Sequence, residues 1–297
     1  MVRFFVAPQD ITGGSVHLNP DDAAHIRSLR LRPGELFTVC DGEGLDYICH
    51  LGMKGDSSIA SVIESHPSPG EPSVDCTVYI AFAKGDRLDY AVQKCVELGA
   101  YGVVLYPSAR CVSVLGDSHK KTARLQRIAL ETAKQCGRGR VPVVSAVGSF
   151  EEAVDSACGG LRSGNIVEAV YEGSLASSEA PGHLDLFCYE EEKDRRLKQA
   201  LDEHFVNTVS SSRSIGQCYE AATGATWDIG AIRTEGAIGV IGAVSVMTGP
   251  EGGFEPSEAS YAVSAGMVAV SLGPRILRCE TAPVAALAAV MFCTGNM

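Results

Sequence analysis

The fold class of this chain follows from the stretch Met247-Thr248-Gly249-Pro250-Glu251-Gly252-Gly253-Phe254 and from a second one, Ser271-Leu272-Gly273-Pro274-Arg275-Ile276-Leu277-Arg278-Cys279-Glu280-Thr281-Ala282. Short apolar runs at 243–247 and 267–272 precede the two stretches and are typical of buried strands. Helical patterns follow both. The two loops are therefore predicted at the carboxyl ends of neighbouring strands in an α/β sheet, which is the edge where such sheets bind ligands.

The first stretch has the composition of a backbone cradle followed by a helix. Its three glycines allow a ligand to approach the backbone closely or allow positive φ angles. Pro256, with the acids around it, predicts a helix start directly after the loop. Two ordinary β–α turns would explain the same residues. Neither stretch is a Walker loop or a dinucleotide-binding G-x-G-x-x-G fingerprint.

Together, Gly249-Pro250-Glu251-Gly252-Gly253-Phe254 and Arg275-Ile276-Leu277-Arg278-x-Glu280-Thr281-Ala282 resemble the two signature stretches of the RsmE family. These are 16S rRNA (uracil N3) methyltransferases of the SPOUT superfamily. The resemblance implies an α/β fold with a mostly parallel SPOUT-type sheet and a C-terminal trefoil knot, preceded by a small PUA-like β-barrel domain. It also implies a homodimer that uses S-adenosylmethionine (SAM) to methylate N3 of a uridine in small-subunit rRNA.

The same resemblance assigns roles within the two stretches. Arg278 is expected to stabilise negative charge on the uracil, and Glu280 to act as a base or to orient Arg278; Glu251 is a third candidate. Cys279 is expected to be a small buried residue rather than a nucleophile. The residues expected to hold the cofactor are Thr248, Gly249, Pro250, Gly252, Gly253, Ser271, Leu272, Gly273, Ile276, Leu277, Thr281 and Ala282.

Composition bounds the class of protein. The chain has 297 residues, 45% of them hydrophobic and 21% charged, with a net charge of −11, which fits a globular protein and argues against a nonspecific nucleic-acid coat. No apolar run is long enough for a membrane span. Eleven cysteines occur without metal-ligand spacing, so no metal site is predicted. Together with the lack of a signal or transit peptide, this favours the cytoplasm.

Residues 1–70 are predicted to form the small β-rich domain, which the resemblance identifies as a PUA-like, RNA-binding barrel. Strands are expected at 3–6, 35–40, 45–51 and 58–64, and a helix at 21–29 after the cap Asn19-Pro20. Arg27 and Arg30 resemble positions of the family that contact RNA, although a solvated loop explains them equally well. The proline-rich stretch 65–72 predicts the domain boundary.

From residue 71 to 297, strands and helices alternate, which predicts the parallel sheet of the methyltransferase domain. Strands are expected at 74–83, 101–106, 142–147 and 184–190, and helices at 87–98, 118–136 and 193–204. Lys84 and Gln93-Lys94-x-x-Glu97-Leu98-Gly99 also match a family pattern. The segments of about 159–183 and 206–240 are predicted insertions, and 206–238 is expected to be a loop or a disordered excursion.

The predicted helix 118–136 has a basic face, with seven basic residues against one acid between positions 120 and 140. This suits local docking of RNA on an acidic protein. Lys134, Gln135 and Arg138 at its end are predicted RNA contacts, although capping of the helix C-terminus is a second explanation. Arg110 is the only residue kept from the family's usual loop after the strand at 101–106, and it too is a predicted RNA contact.

Two other functions remain open at this point. Departures from the family at Ser108, Ala109, Cys111 and Cys279 suggest a relative that binds RNA without catalysis. The loop around Arg110 and the two insertions suggest a SPOUT methyltransferase with another RNA target. The first alternative predicts no binding of SAM, and the second predicts a different methylated nucleoside.

Overall fold

The structure is a computed structural model that describes residues 2–32, 34–51, 59–111, 118–159, 183–211 and 243–297. The chain divides into two compact units. The first comprises Met1–Glu71 and Arg127–Pro142, and the second comprises Pro72–Gln126 and Val143–Met297. Most of both predicted insertions, 160–182 and 212–242, lies outside the described residues.

The first unit is built on one sheet of six strands: β1 (Arg3–Phe5), β2 (Ile11–Thr12), β3 (Ser15–His17), β4 (Leu36–Cys40), β5 (Leu45–Leu51) and β6 (Ile59–Pro67). The spatial order is β1-β4-β5-β6-β3-β2, with β1 and β4 parallel and the other pairs antiparallel. Phe4, Val16 and Phe37 lie in its core. The predicted strands are confirmed, and the short hairpin β2–β3 around Gly13-Gly14 is an addition to them.

Helix α1 (Pro20–Ser28) begins where the sequence predicts a cap. The side chain of Asn19 accepts a hydrogen bond from the amide of Asp22 at 2.8 Å, and Pro20 occupies the first turn, where its missing N–H costs nothing. The helix buries Ile26 and leaves Arg27 exposed, and Arg30 beyond its end is exposed as well. Arg30 follows the helix with φ of +54°, a conformation that non-glycine residues adopt rarely.

The segment Arg127–Pro142 belongs to the first unit although it is distant in sequence. Glu71 explains how it is held: its carboxylate accepts two bonds from the Arg138 guanidinium, at 2.8 and 2.9 Å, and one from each of the amides of Gly139 and Arg140. The domain boundary predicted at 65–72 contains no signal for this return of the chain, because the pairing is non-local.

The second unit contains a parallel sheet of six strands: β7 (Cys76–Ala81), β8 (Gly102–Tyr106), β9 (Val143–Ala146), β10 (Leu184–Cys188), β11 (Val244–Thr248) and β12 (Val268–Val270). Its order is β12-β10-β11-β7-β8-β9. The parallel α/β sheet is thus confirmed. β11 and β12 are not neighbours, however, since β10 pairs with both. That expectation was wrong because apolar strand runs look alike and do not encode their spatial order.

Six helices accompany this sheet among the described residues: α2 (Arg87–Glu97), α3 (Ser118–Cys136), α4 (Phe150–Gly159), α5 (Leu197–Ser211), α6 (Pro256–Ser264) and α7 (Thr281–Cys293). The C-terminal part of α3 counts with the first unit. α4 is an addition to the predicted helices. Residues 206–211 are helical, so the predicted loop beginning at 206 is wrong for these six positions.

Aromatic side chains pack together in the core of the second unit. Phe254, which ends the first signature stretch, packs against Phe187 of β10 with ring centroids 4.4 Å apart and ring planes tilted by 41°. It also contacts Phe150 of α4 edge to face, with ring centroids 5.9 Å apart. All three are at most 5% exposed. Among the described residues, no helix combines the length and apolar character needed to cross a membrane.

Candidate functional site

The candidate site lies at the edge of the parallel sheet where its strands end. The first signature loop follows β11 and the second follows β12, while the loops after β7, β8 and β10 leave the same edge. In a parallel sheet all carboxyl ends lie on one side. The structure therefore brings both signature stretches to one edge even though their strands are not adjacent.

The first loop is anchored at its base by Thr248. This residue is fully buried; its hydroxyl donates to the Tyr79 carbonyl at 3.3 Å, and its carbonyl accepts from the Tyr106 hydroxyl at 2.7 Å. A Cβ at Gly249 would come within 2.9 Å of the Phe254 ring, so a side chain is excluded there. Pro250 accepts a hydrogen bond from the Gly253 amide at 3.1 Å, which closes the turn.

Gly253 requires glycine for two separate reasons. Its φ is +69°, a region that L-residues rarely adopt, and a Cβ there would overlap the carboxylate of Glu190. Glu190 follows β10 and accepts a hydrogen bond from the Phe254 amide at 2.7 Å. The strand that separates the two signature strands thus shapes the first loop.

The loop after β8 supports the start of α6. Glu258 is 7% exposed and accepts bonds from the Ser108 hydroxyl (3.1 Å) and the Ala109 amide (2.9 Å). Glu255 and Glu258 form a capping box, which confirms the predicted helix start. Ser108 and Ala109, which depart from the family pattern, therefore have a structural role.

Arg110 lies on the same loop and faces the first signature stretch. Its Nε donates to Glu255 at 2.7 Å and its Nη1 donates to the Gly252 carbonyl at 3.3 Å. A Cβ at Gly252 would approach Arg110 to 2.9 Å. Its side chain is 42% exposed, so Arg110 braces the loop while one side of it remains open to solvent.

The second loop is less engaged with the rest of the unit. The Ser271 hydroxyl accepts from the Gly273 amide at 3.2 Å, and Gly273 has φ of +112°. Within the part of the chain that the structure describes, the amides of Leu272, Ile276 and Leu277 donate to no other group. Such amides are the groups that hold a polar ligand through backbone contacts. The side chain of Ile276 is 91% exposed.

Arg278 ends this loop. Its carbonyl accepts the amides of Thr281 and Ala282 at 2.8 and 2.9 Å, which begins α7. Its side chain is exposed and has no ionic or hydrogen-bonding partner among the described residues.

Cys279 is 6% exposed, as predicted. Burial, together with its hydrogen bond to Glu280, raises the pKa of this thiol to about 12. A thiol that stays protonated at neutral pH is a poor nucleophile.

Arg87 joins the two signature loops and was missed by the sequence reasoning. Its Nη1 lies 2.5 Å from Glu251 Oε1 and its Nε lies 3.8 Å from Glu280 Oε2. Glu280 therefore pairs with Arg87, and the expectation that it orients Arg278 is wrong in this structure. The signal in the sequence was a cation at the start of a predicted helix, within the matched stretch that begins at Lys84.

The two carboxylates of this cluster differ in their surroundings. Partial burial would raise the pKa of Glu251, but hydrogen bonds from its own amide, the Lys84 amide and the Arg87 guanidinium lower it overall. Glu280 contacts Arg87 at the longer distance and borders an open cavity of about 670 Å³. The loop 84–86, Arg87 and Tyr90 of α2, and Thr281 also line this cavity.

The remaining predicted RNA contacts lie in the first unit. Arg27, Arg30 and Gln135 are exposed, and Lys134 is half-buried, 3.7 Å from Glu131. Lys134 also lies close enough to Asp22 to oppose the rise in pKa that burial causes in that carboxyl. This places the end of α3 beside α1 within the unit.

Arg138 does not fit the predicted RNA contact. The residue is 3% exposed, and its guanidinium is held by Glu71. Its place after Gly137 resembles a family pattern, but burial and pairing give it a structural role in this chain.

Comparison with known proteins identifies the family. Residues 70–200 and 197–291 match the family model of the RNA methyltransferase domain, and residues 18–64 match that of the RNA methyltransferase PUA domain. The chain belongs to this family of RNA methyltransferases. The family's PUA domain accounts for the mixed sheet of the first unit, and its methyltransferase domain accounts for the parallel sheet of the second.

Relatives of this RNA methyltransferase extend over nearly all of it. The ribosomal RNA small subunit methyltransferase E of Bacillus subtilis is 27% identical over 96% of this chain and 90% of its own length. The protein of the same name from Synechocystis is 28% identical over 97% and 76%. The resemblance to the RsmE family drawn from the two signature stretches is confirmed.

Solved structures agree with this fold. A ribosomal RNA small subunit methyltransferase E from Neisseria gonorrhoeae, bound to S-adenosyl methionine, has a TM-score of 0.66 and 28% identity and covers 98% of this chain and 97% of its own. A putative methyltransferase from Legionella pneumophila, with a TM-score of 0.65 and 20% identity over 98% and 97%, shares the fold.

Proposed function

We propose that this RNA methyltransferase transfers a methyl group from SAM to N3 of a uridine in small-subunit rRNA. The observation that carries the proposal is the second signature loop, in which unengaged amides lead directly to an unpaired, exposed Arg278. The names of the relatives and the SAM-bound structure from Neisseria gonorrhoeae support the substrate and the cofactor.

The residues present fit SAM as the cofactor. Gly249 and Gly253 keep side chains out of the first loop, and the free amides of Leu272, Ile276 and Leu277 offer donors to a polar ligand. We propose that the same two loops hold SAM through Thr248, Pro250, Gly252, Ser271, Gly273, Thr281 and Ala282. Both the hydroxyl and the carbonyl of Thr248 form hydrogen bonds within the protein, so Thr248 would contribute by fixing where the first loop begins.

Bound SAM supplies a methyl group on a sulfonium, so that the new N3–carbon bond forms as the carbon–sulfur bond breaks and the sulfur leaves as a neutral thioether. The work left to the chain is to align the reactants and to manage one proton. Alignment alone contributes several kcal/mol to lowering such a barrier.

Arg278 would stabilise the negative charge that develops on the uracil oxygens when N3 loses its proton. Glu280 is the better acceptor of that proton. It borders the cavity, whereas Glu251 accepts a bond from Arg87 at 2.5 Å and has a lowered pKa, which makes Glu251 a weaker base.

RNA binding is proposed for the basic and amide side chains that remain exposed or half-buried: Arg27, Arg30, Lys134 and Gln135 in the first unit and Arg110 in the second. Arginine suits phosphate because its planar fork donates two bonds at once. The enzyme is also proposed to act in the cytoplasm.

A homodimer is also proposed. The resemblance implies it, and three apolar side chains in the last quarter of the chain support it: Ile276, Phe292 and Met297 are 91%, 72% and 67% exposed. α7 buries its other face, including Leu287 and Met291, in the second unit.

The test is transfer of labelled methyl from SAM into unmodified small-subunit rRNA, followed by digestion to nucleosides. N3-methyluridine is expected from the unaltered protein, and Arg278→Ala is expected to abolish it while SAM affinity, measured by calorimetry, stays within about twofold. Arg196→Ala is the matched control, since Arg196 is an exposed arginine at the same sheet edge outside the signature stretches.

Each other outcome contradicts a different part of the proposal. Label in another nucleoside would support the methyltransferase activity and contradict methylation at N3 of uridine. Full activity of Arg278→Ala would remove the proposed catalytic residue. An unaltered protein that neither binds SAM nor transfers label would overturn the assignment of activity and leave a relative that only binds RNA.

A further inference from the structure

The open cavity beside the second signature loop has groups on its walls that take no part in the proposed methyl transfer. Its volume of about 670 Å³ lies within the range of about 300–1,000 Å³ typical of small-molecule sites. Glu280 and Thr281 form one wall and the start of α2 forms the other. A ligand in the cavity would therefore lie directly against the loop proposed to hold SAM.

Tyr90 offers an aromatic surface to this cavity. Its side chain is 49% exposed, and its hydroxyl has no partner among the described residues. Single-stranded RNA bases stack on exposed aromatic rings of this kind.

The two cations on the walls of the cavity differ in whether they form ion pairs. Arg87 is paired with Glu251 and Glu280, which leaves the Lys84 ammonium as the cation on these walls without a partner among the described residues. Asp86 contributes an opposing carboxylate, so an anionic group is favoured at Lys84 and disfavoured toward Asp86. The ring of Tyr90 could stack on one base, and the ammonium of Lys84 could bind one phosphate, which together are the parts of a nucleotide.

We propose that this cavity receives the nucleotide to be methylated, with its base stacked on Tyr90 and its phosphate at Lys84. The inference rests on the proposed function, because only a methyl acceptor has to lie against both the cofactor loop and Glu280. Tyr90 and Lys84 then bind substrate and do not bind SAM.

The test uses Tyr90→Ala, Tyr90→Phe and Lys84→Gln in the full chain, with rRNA methylation and SAM calorimetry measured on each. Loss of one base stack predicts a fall in kcat/KM for Tyr90→Ala of about tenfold or more, with SAM affinity unchanged. Tyr90→Phe keeps the ring and should keep the activity. Both residues are exposed, so the temperature of thermal unfolding should not shift in any of the three variants.

Lys84→Gln should raise the KM for RNA and weaken its salt dependence by about one unit of slope, because one phosphate contact is lost. Lys198→Gln is the matched control: Lys198 is an exposed lysine of α5 that is paired with Asp202, and its loss should change neither quantity.

Unchanged kcat/KM in both Tyr90→Ala and Lys84→Gln would overturn the inference. A parallel loss of SAM affinity in these variants would also overturn it, by assigning the cavity to the cofactor. Failure of the unaltered protein to methylate rRNA is a separate result, which removes the proposed function and this inference together.

Discussion

Arg138 illustrates how burial decides the role of a residue whose sequence context suggests another. A basic residue near the end of a basic helix predicts an RNA contact, yet this guanidinium is 4% exposed and forms two bonds to Glu71. Removing one partner of such a pair leaves a buried charge unpaired, which is costly.

We expect Arg138→Ala to lower the free energy of unfolding by about 3 kcal/mol, because Glu71 loses its cation in a mostly buried setting. Chemical denaturation followed by circular dichroism measures this. Gln135→Ala is the control, since Gln135 is exposed on the same segment; it should leave stability unchanged and lower RNA affinity. An Arg138→Ala protein of normal stability with weakened RNA binding would restore the original interpretation.

Gly253 is the residue at which the backbone of the first loop is most constrained. Gly253→Ala must place a Cβ at φ of +69°, which costs about 1–2 kcal/mol, and must also displace the Glu190 carboxylate from the Phe254 amide. We therefore expect weaker SAM binding by calorimetry as well as lower stability.

The matched variant is Gly266→Ala, which has the same kind of backbone strain, at φ of +108°, but open space around the new Cβ. It should lose stability and keep SAM affinity. Equal SAM affinity in both variants would show that the contact between Glu190 and the first loop does not shape the cofactor site.

At the scale of elements, ion pairs join segments that the chain separates. In the first unit, Arg3 of β1 donates two hydrogen bonds to Asp46 of β5, at 2.7 and 2.8 Å, and Ser68 also donates to this carboxylate. Burial alone would raise the pKa of Asp46, but the bonds from Arg3 and Ser68 outweigh burial and lower it.

A lowered pKa in the folded state fixes the pH dependence of stability. The contribution of Asp46 should be complete above the ordinary aspartate pKa of about 3.9 and should be lost as the pH falls through the depressed folded value. Asp46→Asn should cost about 3 kcal/mol at neutral pH and flatten the acid side of the stability curve. Denaturant unfolding between pH 2 and pH 7 measures both the stability cost and its pH dependence. If Asp46→Asn lost stability on acidification as the unaltered protein does, Asp46 would not be the source of this pH dependence.

In the second unit, Arg87 is the corresponding link between the loops after β11 and β12. Arg87→Gln should weaken SAM binding and methylation, because Glu251 and Glu280 then repel each other without a shared cation. It should also raise the pKa of Glu251, which NMR titration of that carboxyl measures, because one cause of its lowering is removed.

Arg124→Gln is the matched control for this link. Arg124 of α3 pairs with Asp89 of α2, so the substitution removes an exposed ion pair on the same helix without touching the signature loops. Equal effects of the two substitutions on SAM affinity would show that Arg87 acts through helix α2 in general and has no specific role in the loops.

For the molecule as a whole, the exposed apolar surface gives the homodimer a direct test. Phe292 is 72% exposed at the end of α7, so a charge there has little folding cost in a monomer. We expect Phe292→Lys to halve the mass measured by analytical ultracentrifugation. Ile63→Lys, a substitution at a residue that is 54% exposed in the first unit, should leave the mass unchanged. A monomeric unaltered protein would contradict the proposed dimer.

The trefoil knot stays a prediction of the resemblance. The order β12-β10-β11-β7-β8-β9 places β10 between the two signature strands. The crossover from β10 to β11 runs through residues 212–242, outside the described residues.

The sequence by itself determined the family, most of the strands and helices, the glycine loops and the start of α6. These features are local, because each depends on residues that are close together in sequence. Examples are the strand and helix periods, a proline in a first turn and a capping box. The two signature stretches could be matched for the same reason.

Only the tertiary structure decided that β10 lies between β11 and β12, that Arg127–Pro142 belongs to the first unit, and that Arg87 pairs with Glu251 and Glu280. Parallel strands with similar apolar runs are interchangeable in sequence, and an arginine can pair with any carboxylate that the fold brings within reach. Which partner it meets depends on contacts between residues as much as 193 positions apart, as between Arg87 and Glu280, and no local pattern contains that information.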